Sequence, residues 1–285
     1  MNTHTPSLPR TILKIECPDE KGLVHRVTGC LLAHGMNMTE NGERVDPETG
    51  RFFMRAVVEG DANLEALGRE LKQTLPREAL CEILRPRPKR IVVMVSKEAH
   101  CIGDLLVRNL FGEIDAEIVG VIGNHERLRS LVERFEVPFH MVSHEDRSRE
   151  AHEEEIVRIL EVYAPDYLVL AKYMRVLTSA FVEKFFPRII NIHHSFLPAF
   201  IGANPYRQAH RRGVKIIGAT AHIVTDNLDE GPIIAQDVFN VPTQYSVTQM
   251  TKAGRNVEKH VLNRALYLVF DDRVFISGNK TIIFE

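Results

Sequence analysis

A chain of 285 residues with 44% hydrophobic residues, 26% charged residues and a formal net charge of −2 has the size and balance of one large globular domain or two ordinary ones. So small a charge leaves no electrostatic footprint for nucleic acid or an anionic membrane surface. There is no long apolar run for a bilayer span and no signal-peptide core at the start. The four cysteines, Cys17, Cys30, Cys81 and Cys101, form no CxxC pair, which predicts reduced thiols in a cytoplasmic setting rather than a disulfide framework or zinc site.

After a short lead-in, residues 11–17 alternate as a strand. Pro18-Asp19-Glu20-Lys21-Gly22 makes a turn, and Val24, Val27 and Leu31 then recur at helical spacing up to a stop at Gly35. Residues 36–44 and 51–58 read as two strands around the turn Asp46-Pro47-Glu48-Thr49-Gly50. Asp61 is the expected cap of a second helix carrying Leu64, Leu67, Leu71 and Leu75 on one face, and Ile83 ends a last strand. The order β-α-β-β-α-β is that of a ferredoxin-like α+β domain. The basic, proline-punctuated run Arg85-Pro86-Arg87-Pro88-Lys89-Arg90 suits a stiff connector, so the expected division is 1–84, linker 85–90, and 91–285.

Beyond the connector, apolar strands at 91–95, 117–122, 139–142 and 167–171, and one opening after Pro187, alternate with helices. Those helices run through Leu105, Leu106 and Leu110, then near 126–135, 147–163 and 179–185. This rhythm predicts an α/β domain with a doubly wound, mostly parallel sheet. Such sheets bind ligands at the carboxyl ends of their strands. Residues 216–224 and 233–239 alternate and predict an antiparallel hairpin joined by 225–232. A helix at 247–269 presents Val247, Met250, Val257, Val261 and Ala265 inward, and two short strands close the chain.

Asn191 and His193 are two apart, so on a strand both side chains leave the same face. An amide and an imidazole side by side at a strand end can hold a carbonyl oxygen and move a proton. Asp229 offers a carboxylate from the hairpin loop, and residue chemistry alone does not separate it from Glu230. Asn191 serves equally as a loop cap, His193 as a core histidine, and His222 either steers Asp229 or simply packs. His194 beside His193 invites a metal, but no further His, Cys or carboxylate stands at ligand spacing nearby, so no metal is expected.

Pro18-Asp19-Glu20-Lys21-Gly22-Leu23-Val24, in its element order, resembles the ACT domain family. That resemblance implies either an amino-acid effector site or a packing and oligomerisation unit. Met174-Arg175-Val176-Leu177, the stretch Asn191-Ile192-His193-His194-Ser195-Phe196-Leu197-Pro198, Gly218-Ala219-Thr220-Ala221-His222 and Leu228-Asp229-Glu230-Gly231-Pro232 together resemble the formyltransferase-fold family that uses 10-formyltetrahydrofolate. The resemblance implies Asn191, His193 and Asp229 as catalytic residues. It also implies folate contacts from Met174, Arg175, Leu177, Ser195, His222, Thr225 and Asp226, with no cofactor, because 10-formyltetrahydrofolate is the substrate.

Members that formylate glycinamide ribonucleotide carry a Gly-rich phosphate cradle after the first strand. Here that turn reads Ser96-Lys97-Glu98-Ala99-His100-Cys101, with no glycine until Gly103. This departure, the doublet His193-His194, the run Phe200-Ile201-Gly202-Ala203-Asn204-Pro205-Tyr206 and the ACT-like front resemble the deformylase branch of the family. The implied reaction is hydrolysis to formate and tetrahydrofolate, feeding formate to purine synthesis and balancing one-carbon pools. The alternative is formyl transfer to an amine such as glycinamide ribonucleotide. A cytoplasmic homo-oligomer with no nucleic-acid or membrane partner is the expected state.

Overall fold

The computed structural model describes residues 8–199 and 205–285. It divides the chain into two units, Met1–Arg87 with Phe284–Glu285, and Pro88–Ile283. In the first, β1 (Arg10–Pro18), α1 (Leu23–Ala33), β2 (Asn37–Asp46), β3 (Arg51–Glu59), α2 (Leu64–Thr74) and β4 (Leu80–Leu84) give an antiparallel sheet of order β2-β3-β1-β4. Alternation in β1 sends Leu13, Ile15 and Cys17 to the helices, where they meet Leu23, Val27, Leu67 and Leu71. The β2–β3 turn is held by Asp46, whose carboxylate accepts from the Glu48 N–H (3.2 Å) and the Thr49 hydroxyl (3.0 Å), with Gly50 at φ 62°. α2 is capped by Asn63, which accepts from the Ala66 N–H at 3.0 Å. Asp61, the expected cap, lies too early, because a side-chain cap must sit immediately before the first helical residue.

The second unit contains β5 (Lys89–Val95), α3 (His100–Leu110), β6 (Ala116–Gly123), α4 (Arg129–Glu133), β7 (Phe139–Met141), α5 (Arg149–Tyr163), β8 (Tyr167–Leu170), α6 (Ser179–Phe185) and β9 (Ile189–His193). α7 (Pro205–Arg212), β10 (Ile216–Ile223), β11 (Ile233–Asn240), α8 (Val247–Phe270), β12 (Val274–Ser277) and β13 (Lys280–Ile283) follow. Its described residues form a seven-stranded sheet of order β11-β10-β9-β8-β5-β6-β7. The run from β9 to β7 is parallel, and β10 and β11 extend it antiparallel. One face packs Ile190, Ile192, Ala219 and Ala221 against Leu105 of α3 and Val261, Leu262 and Ala265 of α8. The other packs Leu168, Leu170 and Ile189 against Ile156 and Leu160 of α5 and Phe181 and Phe185 of α6. Burial of both faces is why these strands read as unbroken apolar runs.

Three details depart from the sequence reading. Lys89 and Arg90 belong to β5 rather than to the connector, and the buried Lys89 ammonium lies 2.8 Å from the Asp272 carboxylate, a partner no local pattern discloses. The helix expected near 126–135 is a 3-10 turn, Glu126–Leu128, running into the short α4. The polar helix α7 has no expected counterpart, because only Tyr206 and Ala209 give it a buried stripe. Residues 200–204, most of the run Phe200 to Tyr206, lie outside the described residues.

Candidate active site

The site grows from the pairing of β9 with β10. Ile190 and Ile192 enter the α3–α8 face, so Asn191 and His193 emerge on the opposite face. The antiparallel register sets His222 across from Asn191 and Thr220 across from His193. His222 is therefore on the adjoining strand, and its Nε2 lies 3.2 Å from Asn191 Nδ2. His222 Nδ1 is 2.9 Å from the Ile223 carbonyl, which can only accept, so the neutral ring carries its proton on Nδ1. Nε2 is then the acceptor for one Asn191 N–H, and the second N–H of that amide remains for a ligand.

The chain leaves β10, turns through residues 224–232 and folds back over the strand end. Gly231 permits this, since a Cβ there would lie 1.9 Å from the Ile223 carbonyl oxygen. Asp229 sits two residues earlier at φ 57°. Its Oδ1 is 3.3 Å from His193 Nδ1 and 3.7 Å from His222 Nε2, while Glu230 is exposed. Position thus separates two carboxylates that chemistry alone did not. Burial would raise the Asp229 pKa, but hydrogen bonding from His193 holds it well below the usual carboxylate range. It is an anion at neutral pH. With Nδ1 of His193 turned to Asp229, its buried Nε2 has no hydrogen-bond partner among the described residues.

These groups line a cleft of 250 Å³, and Met174, Arg175, Leu177, His222, Thr225 and Asp226 line it with Asn191, His193 and Asp229. One wall, residues 172–177, is fixed at both ends. The Met174 N–H donates to Ser96 Oγ at 3.0 Å, and Thr178, which caps α6, donates its N–H to Glu153 at 2.9 Å. Met174, Val176 and Leu228 stay exposed, an apolar set suited to a flat ring. Ser195 does not line the cleft. Its carbonyl accepts from Thr220 Oγ1 at 2.9 Å, its buried Oγ has no hydrogen-bond partner among the described residues, and the residue lines an adjoining cavity with Tyr206, Ala209 and Gly218. His194 lies between the two cavities, and burial aided by the charge of Lys172 pushes its pKa down to about 4, so it is neutral.

A second polar cluster borders the cleft and carries no local signal of function. Lys172 follows β8, and its ammonium lies 3.1 Å from Glu258 of α8. His100 Nε2 lies 2.9 Å from the same carboxylate, and the Tyr206 hydroxyl donates to it at 2.6 Å. A glutamate on the inward stripe of α8, between Met250 and Val261, was the one available clue.

Residues 89–266 match the formyl transferase family and residues 11–76 the ACT domain family, so the chain joins an ACT domain to a formyltransferase-fold domain. It is 56% identical to the formyltetrahydrofolate deformylase of Escherichia coli over 97% of this chain and 99% of that protein. The crystal structure of a formyltetrahydrofolate deformylase from Pseudomonas syringae pv. tomato superposes with a TM-score of 0.94 at 39% identity, covering 100% of this chain and 97% of that one. Glycinamide ribonucleotide transformylase 1 from Symbiobacterium toebii, at 31% identity and TM-score 0.65, covers 70% of this chain and 95% of its own. The chain belongs to the formyltetrahydrofolate deformylase family.

Proposed function

We propose that this protein hydrolyses 10-formyltetrahydrofolate to formate and tetrahydrofolate, with Asn191, His193 and Asp229 carrying the chemistry. The observation that carries this reading is the meeting of an ionised, buried carboxylate with an imidazole whose other nitrogen is unsatisfied at the wall of a cleft. Water adds to the formyl carbon on N10, and the carbonyl oxygen becomes an oxyanion. The free N–H of Asn191 and, in the imidazolium form that carries protons on both ring nitrogens, the Nε2–H of His193 stabilise that oxygen, a contribution of about 10²–10³ in rate. Asp229 orients the water, takes its proton and returns it to N10 as the carbon–nitrogen bond breaks. The strip 174–177 and residues 225–226 hold the folate head. No cofactor enters this scheme.

The near alternative is transfer of the formyl group to an amine such as glycinamide ribonucleotide. Coverage favours hydrolysis, since the deformylase structure spans the whole chain and the transformylase structure only its larger part. Purified protein incubated with 10-formyltetrahydrofolate alone is expected to release formate stoichiometrically with tetrahydrofolate. No formate in the absence of an amine would refute the reading. The ACT unit fits control of this drain on formyl groups by an amino acid, in a cytoplasmic homo-oligomer. Titration with glycine, methionine and serine tests it, and neither heat nor a rate change would leave the unit as an assembly module.

A further inference from the structure

Glu258 is 1% exposed and both oxygens of its carboxylate are taken: Oε2 by Lys172 and His100, Oε1 by Tyr206. Burial works against ionisation, yet His100 and Lys172 push its pKa down to about 2. Gly254, one turn earlier on α8, makes room for this arrangement, because a Cβ there would lie 2.1 Å from the Tyr206 hydroxyl oxygen. His100, Cys101 and Glu258 also bring metal-ligand atoms within 4.8 Å of one another, but the Lys172 ammonium already holds the cation's place beside Glu258. Burying two charges is costly, and a well-packed apolar pair is often as stable, so stability alone does not explain the cluster.

We propose that Lys172, locked onto Glu258, selects the acceptor by keeping amines away from the formyl carbon and leaving water as the nucleophile. This rests on the hydrolytic reading above. Lys172 lines the same cleft as Asn191, His193 and Asp229, so its charge bears on the reacting end. A primary amine arrives largely as an ammonium at neutral pH. It needs a carboxylate to receive it, but both oxygens of Glu258 are occupied and Asp229 is engaged by His193 at 3.3 Å, while Lys172 on the same cleft repels a second cation. A phosphate-bearing amine meets a further obstacle. Glu98, in the turn after β5, lies 4.0 Å from Lys172 and 3.1 Å from Arg255, so the cations that could meet a phosphate at this turn are already held by a carboxylate. Neutral water is opposed by none of this.

The reaction so prevented joins the amine nitrogen to the formyl carbon, breaks the carbon–N10 bond and passes the amine proton to N10. The full-length protein is supplied with 10-formyltetrahydrofolate and excess glycinamide, and formate and N-formylglycinamide are both measured. The wild type and Lys172→Arg are expected to give formate with only a small, measurable background of N-formylglycinamide, which sets the reference ratio. Lys172→Met, and Lys172→Gln as a gentler variant that can still hydrogen-bond Glu258, are expected to raise the ratio of N-formylglycinamide to formate about tenfold or more, a shift of about 1.4 kcal/mol in relative barriers. Glu258→Gln, which keeps the cation, is expected to keep that reference ratio. A merely structural role would lower both products together and leave the ratio fixed. An unchanged ratio in both Lys172→Met and Lys172→Gln overturns the proposal, and a wild type that makes no formate overturns instead the hydrolytic reading beneath it.

Discussion

Around Asp229 and around Glu258 the same side-chain types, carboxylate and imidazole, meet within a few ångströms, yet they are finished differently. Glu258 has three donors that occupy both of its oxygens. Beside Asp229, His193 Nε2 is buried without a hydrogen-bond partner among the described residues and one Asn191 N–H is uncommitted, both on residues that line the cleft, whereas His100 Nδ1 of the other cluster, also without a hydrogen bond, lies 3.6 Å from Glu98. A buried polar atom left unsatisfied costs on the order of 1–3 kcal/mol, so a fold that keeps one needs a compensating use for it. The Asp229 cluster is where a ligand completes the hydrogen bonding, and the ion-paired Glu258 cluster shapes what can approach.

The comparison can be broken most directly at its open end. Asp229→Asn is expected to lower formate release by about 10²–10⁴-fold while folate affinity, measured by calorimetry, stays near wild type. Near-wild-type turnover would remove Asp229 from the mechanism. Gly231→Ala leaves every polar side chain in place but forces the loop off the Ile223 carbonyl, so a loss of about 10²-fold is expected from misplacement alone. Equal turnover would show that the loop does not need its close approach.

A third expectation concerns acid. Because the folded pKa of Asp229 is depressed, its contribution to stability is fully present above the unfolded value, about 3.9, and is lost as pH falls below it. The gap in urea midpoint between wild type and Asp229→Asn should therefore be largest near neutrality and close below about pH 4. A gap that widens in acid would reverse the assigned sign. The smallest effect belongs to Ser195→Ala. It removes an unpartnered buried hydroxyl outside the cleft and should leave KM unchanged, with stability shifted by less than about 1 kcal/mol.

Much of this was legible because periodicity records burial. The unbroken apolar runs of β5, β6 and β8 declared a covered parallel sheet, and the two-residue spacing of Asn191 and His193 declared a shared face. What stayed hidden depends on register and long-range pairing. Only the β9–β10 register places His222 opposite Asn191. Nothing near Lys172 in the sequence names Glu258, since strand end and helix meet only in three dimensions. Lys89 passed for part of a linker for the same reason, its partner Asp272 being remote in the chain. Ser195 travelled with a recognisable motif, but its carbonyl is held by Thr220 and the residue lines the adjoining cavity.

The left-handed backbone at Asp229 limits which replacements are informative. Asparagine and aspartate are the side chains, glycine apart, that occupy that region most readily, so an amide can take the aspartate's place without asking the loop to refold. Glutamate would bring the correct charge on a longer arm and a poorer tolerance of the same torsion. Evolution is thus offered few neighbours at this codon: the acid can be silenced cheaply, but it cannot easily be exchanged for another acid.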